Sequence, residues 1–64
     1  MTLQKFLETL QVKSTMVTLI DVDTDAEIMN FKAEGYENLD DAIEAMEVKR
    51  WSFSMSSLQI WIGA

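Results

Sequence analysis

The 64-residue sequence contains no cysteine and no histidine. Without cysteine there can be no disulfide, thiolate nucleophile or cysteine-based zinc site, and a small core must hold without covalent help. Without histidine the chain lacks the side chain most used for proton transfer near neutral pH, and also the commonest transition-metal ligand, which excludes histidine triads and histidine metal sites. Apolar runs are only a few residues long, far short of the roughly 20 that a membrane-spanning helix needs. The opening Met1-Thr2-Leu3-Gln4-Lys5-Phe6 passes straight into an amphipathic pattern, without the continuous apolar stretch of an export signal. A soluble, cytoplasmic chain is expected. Basic side chains are scarce too, five against eleven acidic ones for a net charge of −6. That balance opposes contact with phosphate backbones or anionic lipid, so neither direct nucleic-acid binding nor membrane binding is expected.

What is present is the composition of a folded domain: 48% apolar residues with 25% charged is too hydrophobic for a disordered acidic tail. At this length the chain holds a single core, burying roughly 60% of its unfolded surface. Residues 1–64 therefore read as one small domain.

Leu3, Phe6, Leu7 and Leu10 fall at i, i+3, i+4 and i+7, one stripe of a helix over residues 2–10 with Thr2 as its cap. From Met16 to Val22 the residues are β-branched or apolar apart from Asp21. A polar stretch follows, and Glu27 to Ala33 then resumes a strand-like pattern, which together read as a hairpin. A four-residue loop groups Met16, Thr18, Ile20 and Val22 with Met29, Phe31 and Ala33. A three-residue loop groups Val17 and Leu19 with Met29 and Phe31 instead, and the pattern leaves both open.

Gly35 marks a break, after which Asn38 can cap a helix from Leu39 to about Val48, with Lys49 and Arg50 at its C-terminal end. Leu39, Ala42, Ile43 and Met46 form its inner stripe. Asp40, Glu44 and Glu47 form an acidic outer stripe at i, i+4 and i+7. Two further strands follow, because Trp51, Phe53 and Met55 alternate with serines, and Leu58, Ile60 and Ile62 alternate with Gln59 and Trp61. A Ser56-Ser57 loop would set Met55 against Leu58, Phe53 against Ile60 and Trp51 against Ile62. The fold class is α+β, in the order α-β-β-α-β-β. Its four-stranded, mainly antiparallel sheet is covered on one face by two short helices.

Asp21, Asp23 and Asp25 have the alternation that opens an EF-hand calcium loop. Ala26 stands where that loop needs glycine and Lys32 where it needs a bidentate glutamate, so the segment reads as a hairpin loop using aspartate turn chemistry. No pair of carboxylates is marked out for acid-base work, and no catalytic residue, metal ligand or cofactor is expected. Two surfaces remain. Alternation turns Trp61 away from its apolar neighbours, onto an open sheet face shared with Ile28, where an aromatic anchor suits a protein partner or a second copy of the chain. The acidic stripe Asp40, Glu44, Glu47 could instead imitate a nucleic-acid backbone and inhibit a DNA- or RNA-binding protein.

The opening Met-Thr-Leu-Gln-Lys-Phe-Leu, the segment Val17-Thr18-Leu19-Ile20-Asp21 and the closing Leu58-Gln59-Ile60-Trp61-Ile62 resemble small uncharacterised proteins of phages and mobile elements of Gram-positive bacteria. The resemblance implies a cytoplasmic accessory protein and carries over no functional residue. The expected function is that of a non-enzymatic protein-interaction domain, with acidic mimicry of nucleic acid as the alternative.

Overall fold

The structure, a computed structural model, describes residues 1–10 and 15–64, with backbone alone at 36–38. A short helix α1 (Leu3–Glu8) precedes strands β1 (Met16–Asp21) and β2 (Glu27–Lys32). A 3-10 helix (Ala33–Asn38) then leads to a one-turn helix α2 (Asp41–Glu44) and strands β3 (Glu47–Ser54) and β4 (Ser57–Gly63). The α-β-β-α-β-β order expected from periodicity is the order found.

Helix α1 begins at Thr2, whose hydroxyl accepts from the Lys5 amide at 3.2 Å, and it buries Leu3 and Leu7 one turn apart. Six residues cannot hold a helix in water by themselves, so this burial is what keeps α1 formed.

The sheet runs β2-β1-β4-β3. Its two hairpins are antiparallel, and they join through a parallel β1–β4 pair at the centre. In the first hairpin Val17 faces Phe31 and Leu19 faces Met29, the grouping that brings Val17 and Leu19 to the core. The connection is nevertheless longer than three residues. Asp25 N–H donates to Asp21 C=O at 2.7 Å, and Asp21 N–H donates to Ala26 C=O at 2.9 Å. The pairing then jumps from Leu19–Met29 to Ile20–Glu27, so a bulge at Ile28 takes up the extra residue and restores the inward face.

The second hairpin turns one residue earlier than the Ser56-Ser57 loop expected. Met55 and Ser56 both have positive φ, 51° and 64°, the type I′ geometry whose twist matches that of the flanking strands. Phe53 therefore pairs with Leu58 and Trp51 with Ile60. The shift moves each partner by two positions, which keeps every residue on its expected face.

The second helix is much shorter than the expected Leu39–Val48. The cap expected at Asn38 involves a side chain outside the described residues, and the cap found is Asp40, whose carboxylate accepts from the Ala42 amide at 2.9 Å. Backbone pairing with the N-terminal segment ends the helix. Leu3 N–H donates to Met46 C=O at 2.8 Å and Val48 N–H donates to Met1 C=O at 2.9 Å, which draws Glu47 and Val48 into β3. Lys49 and Arg50 accordingly lie in a strand and not at a helix end.

Val17, Leu19, Leu58, Ile60 and Ile62 form one buried face of the central strands, and Leu3, Leu7, Ala33 and Leu39 close over it. Both helices lie on this side. No described helix is long and apolar enough to cross a membrane.

Candidate functional site

The sheet face away from the helices carries Trp61, placed by pairing between Ile20 on β1 and Arg50 on β3. The Arg50 guanidinium carbon lies 4.0 Å from the centroid of the indole ring, a cation–π stack. On the ring's polar edge Nε1 donates to Asp25 Oδ1 at 2.7 Å. Trp61 is thus half-buried and engaged on two sides. Ile28 is 43% exposed at the bulge of β2, and β1 lies between the strands that carry these two residues. Trp61 and Ile28 therefore lie on strands that do not pair directly.

The three aspartates of the first hairpin do separate work. Asp21 Oδ1 accepts from the Asp23 amide at 2.9 Å, an Asx turn, while Asp25 holds Trp61. No trio of acidic side chains among the described residues is arranged to hold a metal ion.

Asp40, Glu44 and Glu47 do not share one helix face. Asp40 caps α2, Glu44 closes it, and Glu47 opens β3 with Oε2 2.8 Å from the N-terminal ammonium of Met1. That hydrogen bond and the accompanying attraction hold the Glu47 carboxyl below the ordinary glutamate range, with Lys49 adding a smaller pull in the same direction.

A run of exposed apolar side chains lies elsewhere, on β3 and the turn that follows it. Trp51 and Phe53 point to the same side of the sheet as the buried Ile60 and Leu58 with which they pair, yet they are 56% and 58% exposed. The helices cover the central strands and stop at the first of these aromatics, where Phe6 of α1 meets Trp51 with ring centroids 6.0 Å apart and planes tilted by 56°. Met55, at the turn that follows, is 96% exposed. The three residues make an apolar shelf along the edge of the sheet.

That edge is open over part of its length. Met1 and Thr2 pair with β3 around Glu47 and Val48, and among the described residues nothing pairs with the outer side of Trp51–Ser54. Where the cover ends, a groove of about 300 Å³ opens between Met1, Phe6, Val48, Lys49, Arg50 and Trp51. All eleven acidic side chains lie within residues 1–47, while residues 48–64 carry only Lys49 and Arg50. The segment that carries the shelf thus has no acidic side chain of its own, and the Arg50 guanidinium is engaged with Trp61 on the opposite face.

Alternation assigns Trp51 and Phe53 to the inner face, and it assigns them correctly. What it does not register is that β3 stands at the edge of the sheet, beyond the reach of two helices this short. No protein-family model, curated protein or solved structure matches the chain.

Proposed function

We propose that this is a non-enzymatic protein-interaction domain that binds its partner along the free edge of β3, with Trp51, Phe53 and Met55 as anchors. The observation that carries this reading is the exposure of two large aromatics on an edge strand. Exposed edges invite pairing with another chain, and contiguous apolar patches on small proteins mark contact surfaces. Backbone pairing along the strand would supply affinity, and the alternating aromatics would supply selectivity. Partner capture from a lysate at high salt, comparing the wild-type chain with a Trp51→Ser/Phe53→Ser variant shown to be folded by circular dichroism, tests it. A salt-resistant partner lost with the variant is expected. Equal capture by both proteins would remove the β3 edge from consideration.

The alternative, an acidic mimic of nucleic acid that inhibits a DNA- or RNA-binding protein, draws on the confinement of all eleven acidic side chains to residues 1–47. It predicts a partner that is released as salt rises and that is lost on replacing Asp40 and Glu44 with amides.

A further inference from the structure

Resting on the reading of the β3 edge as an interaction surface, we infer that its occupant is a second copy of the same chain. The two β3 strands pair antiparallel about a two-fold axis through Ser52, joining two four-stranded sheets into one.

Backbone geometry comes first. The pair that closes a two-residue hairpin exchanges both of its N–H···O bonds, and the next pair along does not. Ser54 closes this hairpin with Ser57, so Ser54 and Ser52 direct their amides and carbonyls toward β4. Phe53 and Trp51 direct theirs to the open edge. A strand added there must bond to those two residues.

A two-fold axis perpendicular to the sheet keeps each residue on its own face, so only registers that pair odd with odd and even with even positions are available. An axis through Trp51 would drive the mate's Ser54 and Met55 past the irregularity of β3 into the segment around Val48 and Glu47, where Met1 and Thr2 already pair. An axis through Arg50 would set two guanidinium groups directly opposite each other, a destabilising pair. An axis through Phe53 leaves Trp51 opposite a turn residue, with little strand left to pair. With Ser52 on the axis, Trp51 of each copy faces Phe53 of the other in a bonded pair, Arg50 faces Ser54, and no like charges meet. Four aromatic rings then share one face across the junction, an arrangement favoured between neighbouring strands.

The same register carries Met55 of one copy to the irregularity of β3 between Val48 and Arg50 of the other, beside the groove between Phe6, Val48 and Trp51. A fully exposed thioether at a turn and an apolar groove at the matching distance along the strand are complementary features of one surface, and methionine fills irregular gaps of this kind well. The exposed parts of Trp51, Phe53 and Met55 come to roughly 400 Å² per copy if each full side chain spans about 150–250 Å². Complete burial of these parts on both copies, with the strand backbones and groove added, would reach the ~1,000 Å² at which specific interfaces begin. Charge does not oppose pairing along the strand itself, because the segment from Val48 to Met55 contains no acidic side chain.

The absence of native cysteine makes the register directly testable. Residues on the axis of a non-bonded antiparallel pair have Cα atoms about 4.5 Å apart, within disulfide range. Under mild oxidation Ser52→Cys is expected to form a covalent dimer about tenfold or more faster than Ser54→Cys, whose two copies lie too far apart to bridge. In sedimentation equilibrium the wild-type chain is expected to be dimeric, and Phe53→Lys, at an exposed position that leaves the fold intact by circular dichroism, to raise the dimer dissociation constant about 30-fold or more. Equal crosslinking of the two cysteine variants, or a monomer at about 100 μM, a concentration that populates even weak interfaces, overturns the proposal. A monomer that still loses a lysate partner on Phe53→Lys overturns the dimer and leaves the interaction edge standing. A monomer whose captured partners ignore that substitution overturns both.

Discussion

The indole Nε1 of Trp61 donates to the Asp25 carboxylate at 2.7 Å, tying the last strand to the loop of the first hairpin. Asp25 also has φ of 60°, a left-handed conformation that costs most residues energy but suits aspartate, asparagine and glycine. Two contributions therefore meet at one residue and can be separated. Asp25→Asn keeps an acceptor and tolerates the backbone, and is expected to be nearly neutral. Asp25→Gly relieves the backbone while losing the bond, and should cost about 1 kcal/mol. Asp25→Ala loses both and should cost about 2 kcal/mol. Urea denaturation midpoints of the three variants check the order. An alanine variant as stable as the asparagine one would show that neither contribution counts.

At the second hairpin the type I′ turn is made by Met55 and Ser56, neither of which prefers positive φ. Ser56→Gly should stabilise the fold by about 1 kcal/mol, since glycine adopts this conformation without a Cβ penalty. Thermal unfolding reads the effect directly as a raised midpoint.

Glu47 makes one prediction about acid. Its carboxyl is held below the ordinary glutamate range, first by its hydrogen bond to the Met1 ammonium and then by the charge itself. A depressed folded-state value means that the unfolded chain binds the proton more readily. The stabilising contribution is then complete above the ordinary glutamate range and disappears as pH falls through the lower folded value. NMR titration should find the Glu47 midpoint below that of an unstructured glutamate, and N-terminal acetylation should return it toward the ordinary range. No change on acetylation would mean that the contact does not form in solution.

Ile60 sits between Leu19 and Trp51 in the sheet and is fully buried. Ile60→Ala should cost about 2–5 kcal/mol, comparable with the whole stability expected of a domain this small. Chemical denaturation is expected to show a largely unfolded variant at 25 °C. Phe53→Ala, at an exposed edge position of similar hydrophobicity, should cost the isolated chain far less.

The features legible in the sequence are those that depend on local spacing. Leu3 and Leu7 recur at helical period and are buried as that period requires. Trp51, Phe53, Leu58 and Ile60 alternate and share a face as alternation requires. What lies beyond local spacing is set by contacts between distant segments. The end of α2 depends on Met1 and Thr2 pairing beside Glu47, and nothing within Leu39–Val48 announces them. The Ile28 bulge exists because Val17 and Leu19 must face inward across a loop of the wrong length. The candidate surface depends on strand order. Alternation says which side of a sheet a residue occupies, and only the topology says that the helices end before reaching Trp51 and Phe53.

The parallel pair at the centre of the sheet also shapes how the chain reaches its fold. Each hairpin can begin forming by itself, with its helix a few residues upstream, so the molecule is two helix-hairpin halves meeting along β1 and β4. These strands come from opposite halves of the sequence and carry Val17, Leu19, Leu58, Ile60 and Ile62, the greater part of the core. Neither half has a closed interior until the other arrives. Folding is therefore a docking event, limited by the closure of a loop spanning most of the chain, and a cut between the halves would yield two fragments with structure only as a pair.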